Sequence, residues 1–113
     1  NTYNATVTVQ NSTTGCTGTN TFSFKVNPNP TATATGADVC EGSTTTTITL
    51  SNLSANEADQ YTIDFANAAI TDITTFTSIP VNNQITVTIP GNLIAGNYTG
   101  TVTVKNASTG CTG

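Results

Sequence analysis

The sequence contains no histidine, methionine, tryptophan or arginine, and only 7% of its 113 residues are charged. Without histidine, the chain lacks the usual general base near neutral pH and the commonest metal ligand. Its two basic side chains, Lys25 and Lys105, are too few to neutralise the phosphates of a nucleic acid. No apolar run approaches the roughly 20 residues of a membrane span, and the sequence contains no signal-peptide pattern. We therefore expect a mature or excised segment that is not an enzyme, binds no nucleic acid and does not insert into a membrane.

Threonine and asparagine are abundant instead, with 28 and 14 copies. Threonine is β-branched and suits the half-exposed surface of a strand. Apolar and polar residues alternate in 3–9 and in 21–26, which predicts strands with one buried face and places Phe22, Phe24 and Val26 inward. Later runs alternate in the same way around Ile48, Leu50, Tyr61, Ile63, Phe65, Ile85, Val87, Ile89, Tyr98, Val102 and Val104. We predict an all-β fold, an antiparallel β-sandwich.

Two of the breaks between these runs have distinct turn chemistry. The segment 11–15 (NSTTG) predicts a hairpin loop with Gly15 at a positive φ. The segment 27–30 (NPNP) carries two prolines at alternate positions, which favour stiff extended backbone. The second segment is therefore predicted to be a short linker between two domains.

An internal repeat is the most informative feature of the sequence. Residues 1–18 align without a gap on residues 96–113, with eleven identities at an offset of 95 residues. That spacing predicts tandem immunoglobulin-like domains of about 95 residues. Residues 1–27 would then be the last two strands of one repeat, 28–30 a proline-rich linker, and 31–113 a second repeat that lacks its final strand. We expect the native protein to be longer, or a neighbouring chain to supply that strand.

The three cysteines fit this division of the chain. Cys40 and Cys111 fall within the second repeat, and Cys16 is the copy of Cys111. We predict a structural disulfide between Cys40 and Cys111, with Cys16 paired to a cysteine upstream of the segment, in an oxidising extracellular setting. The alternatives are a zinc site, for which the ligands are too few, and a catalytic thiol, for which a base is missing.

A second structural signal lies in 93–98. Leu93, Gly96 and Tyr98 have the pattern of a tyrosine corner, in which the tyrosine hydroxyl bonds to nearby backbone at the start of a sandwich strand. The recurrence of the tyrosine as Tyr3 favours this structural role over a tyrosine that binds a ligand.

Together these residues carry a family resemblance. The segment NPNPTATATG, the run 39–43 (VCEGS) before a threonine-rich strand, and the closing GNYTGTVTVKNASTGC resemble the immunoglobulin-like or PKD-like repeats of very large Bacteroidetes surface proteins, such as the SprB-type adhesins of gliding motility. The resemblance covers nearly the whole chain. It implies export to the cell surface by type IX secretion and a non-catalytic role as a spacer repeat of an adhesin stalk or filament. The implied partners are neighbouring repeats of the same chain or filament, surface polysaccharide and other cells.

The acidic residues give a weaker signal. Glu57 and Asp59 lie in one loop, and Asp64 and Asp72 are near them in sequence. Paired carboxylates bind Ca²⁺ or act in glycoside hydrolysis, but the calcium-loop spacing is missing and loops normally carry solvated acids. We expect no cofactor, with calcium as the weaker alternative.

A binding module is the rival interpretation. The loops 51–59 and 66–79 would recognise a glycan or a protein, and 66–79 would expose an apolar patch around Ile70, Ile73 and Phe76. A fibre assembled by strand exchange between chains is a variant of the structural hypothesis.

Overall fold

The computed structural model describes residues 1–54 and 57–113. These residues contain eight strands: β1 (Thr2–Gln10), β2 (Thr17–Lys25), β3 (Thr33–Gly36), β4 (Thr45–Ser51), β5 (Gln60–Phe65), β6 (Ile73–Ser78), β7 (Gln84–Thr88) and β8 (Gly100–Lys105). The described residues contain no helix, and so none that is long and apolar enough to span a membrane. The predicted all-β class is confirmed.

The strands form three antiparallel sheets. β1 and β2 make a hairpin whose register runs from Thr2 opposite Lys25 to Gln10 opposite Thr17. β3, β4 and β7 form a second sheet in that order, and β6, β5 and β8 form the third. The molecule is elongated, with extents of 79 × 26 × 19 Å.

The hydrophobic core lies between the two three-stranded sheets. Leu50, Ile85 and Val87 come from one sheet, and Ile63 and Val104 come from the other. The alternation read from the sequence accounts for this, because successive side chains of a strand point to opposite faces. Residues 31–113 therefore form a β-sandwich-like body, and we call this part of the chain the sandwich.

Two strands, β3 and β6, differ from the sequence-based expectation. β3 is four residues of small and polar type, which have no apolar alternation to detect. β6 falls in the segment that was expected to be a loop, and its half-buried residues, Ile73 and Phe76, are three positions apart instead of two. The spacing is irregular because the register between β5 and β6 shifts between Tyr61 and Ile63, so two residues of β5 span more than two of β6.

The hairpin β1–β2 corrects a second expectation. Phe22, Phe24 and Val26 were predicted to point into a core, but each is about half exposed. They share this exposure with Tyr3, whose ring stacks on Phe24 with centroids 5.6 Å apart. No second sheet of the described chain covers this face of the hairpin, so its apolar side chains remain in contact with water.

Candidate functional site

The loop that follows β8 has the same backbone geometry as the loop between β1 and β2. In 106–111, the N–H of Asn106 donates to the carbonyl of Cys111 at 3.0 Å, and the N–H of Gly110 donates to the carbonyl of Asn106 at 2.8 Å. The residues 95 positions earlier make the same two bonds, at 2.9 and 2.8 Å. Gly110 has a φ of 74° and Gly15 a φ of 73°, so the positive φ predicted for Gly15 is confirmed.

The asparagine side chains of the two loops also act alike. Asn11 Oδ1 accepts the backbone N–H of Thr14 at 3.1 Å, and Asn106 Oδ1 accepts that of Thr109 at 3.0 Å. An asparagine that bonds its own backbone a few residues on favours a tight turn. The two loops are therefore two copies of one turn in both backbone and side-chain bonding.

The correspondence continues into the strands. Lys105 pairs with Thr112 in an isolated antiparallel bridge, at the positions equivalent to Gln10 and Thr17. The backbone groups of Val104 and Gly113 exchange two hydrogen bonds of 2.9 Å. The first rungs of a hairpin are thus formed on β8, in the register that β1 and β2 use.

Beyond these rungs, an open seam runs between the two sheets of the sandwich. β8 is the edge strand of one sheet and β3 is the edge strand of the other. Two adjoining clefts of about 1070 and 470 Å³ lie along this seam, and Ala34 of β3 and Val102 of β8 line both. We call this region the β8 seam.

The β8 seam combines an apolar lining with a free strand edge. Ile63, Phe65 and Val102 face the larger cleft. An edge strand presents N–H and C=O groups that can pair with a further strand. A strand with alternating apolar residues supplies both requirements, because its backbone pairs with the edge while every second side chain enters the cleft.

The sandwich has two ends, which we call the linker end, where residues 30 and 31 enter it, and the distal end, which is opposite. At the linker end, Pro30 is fully buried, and its backbone lies against Gly113. There the N–H of Thr31 donates to Ser54 Oγ at 3.0 Å, and the loop 106–111 lies at the same end. At the distal end lie the turn 37–44 and the loop 93–98. Pro30 and Thr31 thus attach the linker to the end that carries the hairpin loop.

The structure does not bring Cys40 and Cys111 together. Cys40 lies in the turn at the distal end, and Cys111 lies in the loop at the linker end. β8 alone separates these ends by about 17 Å, whereas a disulfide needs Cα atoms within about 7 Å. All three cysteines are free, so the predicted Cys40–Cys111 bond is not formed.

The segment 93–98 makes the hydrogen bond expected of a tyrosine corner. Tyr98 Oη donates to the carbonyl of Ile94 at 2.8 Å, and Leu93 packs against the core. Gly96 lies between them in the bend, and β8 begins two residues after Tyr98. The tyrosine hydroxyl is thus engaged with backbone of its own segment.

The expected apolar ligand patch is wrong as a description of the surface. Ile70 is only 5% exposed and belongs to the core, and Ile73 packs against that core from β6. Phe76 is half-buried, with Lys105 Nζ 4.9 Å from its ring centroid. The sequence-based prediction was wrong because the irregular spacing of apolar residues in β6 does not have the alternation that marks a strand. In the other proposed ligand loop, 51–59, residues 55 and 56 lie outside the described residues.

Two of the four acidic side chains singled out by the sequence, Asp59 and Asp72, accept hydrogen bonds from backbone N–H groups. Asp59 Oδ1 accepts the N–H of Ala107 at 2.8 Å, and Asp72 Oδ1 accepts a β5 backbone N–H at 2.7 Å. The backbone carbonyl of Glu57 accepts a bond from the Asn106 side chain, and Asp64 is exposed on β5. Over residues 1–54 and 57–113, no three cysteine or acidic side chains gather in a group that would hold a metal ion.

No family model, curated protein or solved structure matches the chain. Two contacts at the ends of the sandwich also have no counterpart in the sequence-based prediction: the burial of Pro30 against Gly113, and the bond from the Ala95 N–H to Glu41 Oε1, 2.6 Å long. Neither has a local sequence signal, since each joins residues more than 50 positions apart.

Proposed function

We propose that this chain is a non-catalytic spacer of an extended cell-surface filament or adhesin stalk, built from tandem immunoglobulin-like repeats of about 95 residues. One observation carries the proposal. The same hairpin occurs twice in the same register, once with its second strand complete and once with only the first rungs formed on β8. A strand of the β2 type along β8 would complete the second copy and fill the β8 seam.

The exposure of equivalent residues supports this proposal. Val104 is 2% exposed within the sandwich, whereas Val9, its equivalent in the first hairpin, is 63% exposed. The hairpin therefore carries apolar residues on a face that the described chain leaves uncovered. A preceding sandwich body, packed on β1 and β2 as the present one packs on β8, would cover that face.

The strand count supports an immunoglobulin-like identity. The sandwich holds six strands, and one more beside β8 would make seven, in sheets of three and four. Seven strands in two antiparallel sheets are typical of the immunoglobulin fold, whose tyrosine corner lies near the start of the next-to-last strand. Tyr98 has this position relative to β8.

The mechanical role follows from the linker and the surface. Pro28 and Pro30 favour extended backbone between rigid bodies, which would set neighbouring repeats in a row. The threonine-rich faces hydrate the strands without charge, and two lysines give proteases little to cleave. We propose export to the cell surface by type IX secretion, with neighbouring repeats as the direct partners and surface polysaccharide or other cells as partners of the whole stalk.

The test is to append residues 19–26 directly after Gly113. The appended copies of Phe22 and Phe24 would enter the β8 seam, and each buried aromatic ring is worth roughly 1.5–3 kcal/mol. We expect the free energy of unfolding of the sandwich to rise by at least about 2 kcal/mol in urea titrations. A matched chain with serine in place of both appended phenylalanines should gain much less. Equal stability of both extended chains and the original would contradict the proposal.

Strand exchange between chains is the second candidate, because the free edge of β8 favours it as well. Sedimentation of the 113-residue chain would then show polymers that grow with concentration. These polymers should disappear when residues 19–26 are appended, since the edge is then filled within one chain. A monomer at all concentrations would leave the single-chain stalk as the proposal.

A further inference from the structure

We propose that the cysteines form disulfides between successive repeats, each bond joining Cys40 of one repeat to the equivalent of Cys111 in the repeat that follows. This inference rests on the proposed tandem arrangement. The disulfide would then crosslink two neighbouring repeats, whereas the sequence alone predicts a disulfide within one repeat.

Cys40 lies on the surface of the sandwich, in the segment between β3 and β4. It is exposed in the turn 37–44, at the distal end of the sandwich. Glu41 Oε1 accepts the Ala95 N–H at 2.6 Å, which ties this turn to the loop 93–98. The thiol is therefore carried on an anchored turn that points away from the linker of its own repeat.

The joint between the first hairpin and the sandwich has a defined direction along the chain. The open end of the first hairpin, where the amino group of Asn1 bonds the carbonyl of Val26 at 2.9 Å, also holds Tyr3. Tyr3 is the equivalent of Tyr98, so this open end is the distal end of the preceding repeat. The linker 27–30 leads from there to the linker end of the next sandwich.

Cys111 lies at the same joint, on the side of the sandwich. Its loop lies at the linker end, where Pro30 packs against Gly113. Four residues of proline-rich linker span about 12 Å. The distal end of one repeat, with its copy of Cys40, therefore faces the linker end of the next, with its copy of Cys111, over a short and stiff connection.

The cysteine count agrees with this arrangement. Cys16 and Cys111 would each pair with a copy of Cys40 one repeat upstream, and Cys40 would pair one repeat downstream. Each thiol then has its partner in another repeat, which accounts for three free cysteines in a chain that holds one sandwich. An odd number of cysteines needs no unpaired residue in a long array.

The bond forms by thiol–disulfide exchange with a small disulfide oxidant such as oxidised glutathione. The thiolate of Cys40 attacks the oxidant and displaces one of its thiols, and the thiolate from the next repeat then displaces the second. One protein S–S bond forms, one oxidant S–S bond breaks, and the two protons and two electrons of the protein thiols pass to the oxidant. The resulting crosslink bypasses the linker and limits bending at the joint.

The test uses a two-repeat chain, residues 1–113 followed by a second copy of residues 19–113, equilibrated with oxidised and reduced glutathione. We expect one disulfide and three free thiols by intact mass after alkylation. Fragment mapping without reduction should join the Cys40 peptide to the peptide with the appended copy of Cys111. Cys40→Ser should abolish the bond, and the matched variant Cys16→Ser should leave it unchanged.

Two other outcomes would overturn the inference. Pairing of Cys40 with Cys111, one bond within each repeat, would restore the intradomain disulfide. Cys40 could instead stay free in a two-repeat chain whose maximum dimension, measured by X-ray scattering, exceeds that of the 113-residue chain by the length of one repeat. The stalk proposal would then hold and the crosslink would not. Failure of the stalk proposal itself would appear separately, as a two-repeat chain with no gain in length.

Discussion

Val9 of the β1–β2 hairpin and Val104 of the partial hairpin on β8 occupy corresponding positions, but they are 63% and 2% exposed. The difference gives a matched pair of substitutions. Val104→Ala removes two buried methyl groups and leaves a cavity, which should lower the free energy of unfolding by about 2 kcal/mol. Val9→Ala should change it by less than about 0.5 kcal/mol. Urea titration of both variants measures the difference, and equal effects would show that Val9 is already covered in solution.

Tyr98 offers a second test at the scale of one residue. Tyr98→Phe removes the hydroxyl that donates to the Ile94 carbonyl at 2.8 Å and keeps the ring. Since the side chain is 37% exposed, we expect a loss near the low end of the usual range, about 0.5–1 kcal/mol. Tyr3→Phe is the matched control, because Tyr3 contributes a stacked ring to the first hairpin. A loss in the control as large as in Tyr98→Phe would argue against the tyrosine corner.

The alternation of apolar and polar residues correctly predicted which side chains are buried in strands where that alternation is strict. Tyr61 and Ile63 were expected inward and lie in the core, because strict alternation fixes the face of each side chain. Ile70 was misjudged since its segment lacks a period. The pairing of the cysteines could not be predicted from the sequence for a different reason. The number of residues between Cys40 and Cys111 does not tell which end of a sandwich each occupies, and the direction of every intervening strand is needed for that.

At the scale of the element, the turn after β8 depends on one backbone conformation. Gly110 has a φ of 74°, and no atom lies within 4 Å of the position that a Cβ would occupy. Gly110→Ala should therefore cost about 1–2 kcal/mol through backbone strain alone. The control is Gly36→Ala, where the φ is not positive and the space is also open. Thermal unfolding of both variants measures the effect, and an unchanged melting temperature for Gly110→Ala would mean that the turn relaxes.

Six of the eight described strands can be predicted from alternating apolar residues. The other two, β3 and β6, lack that alternation. β3 is held by its pairing with β4, from Thr33 opposite Ser51 to Gly36 opposite Ile48, and its own residues have little apolar content. β6 follows a register shift that only the partner strand reveals. The sequence repeat predicts a further strand beside β8, which stays a prediction, and β8 is an edge strand of its sheet. The walls of the β8 seam were not predicted, since β3 forms one of them.

At the scale of the whole molecule, the proposed tandem array would account for two features that one sandwich does not explain. A hairpin with a bare apolar face precedes the linker, and a sandwich with an open edge follows it. A strand like β2 would pair with the open edge of the sandwich, and a body like residues 31–113 would cover the apolar face of the hairpin. A long array satisfies both needs at every internal position.

The length of such an array can be calculated and tested. A nine-residue strand is about 30 Å long and a four-residue linker about 12 Å, so each added copy of residues 19–113 should lengthen the 79 Å molecule by about 40 Å. Small-angle X-ray scattering of chains with one, two and three repeats should show a linear increase in maximum dimension. Replacing Pro28, which is exposed, with glycine should make the chain more flexible and shorten its average length without unfolding any repeat. An increase that levels off after two repeats would mean that the repeats fold back on one another, and a stalk would then be the wrong description of this protein.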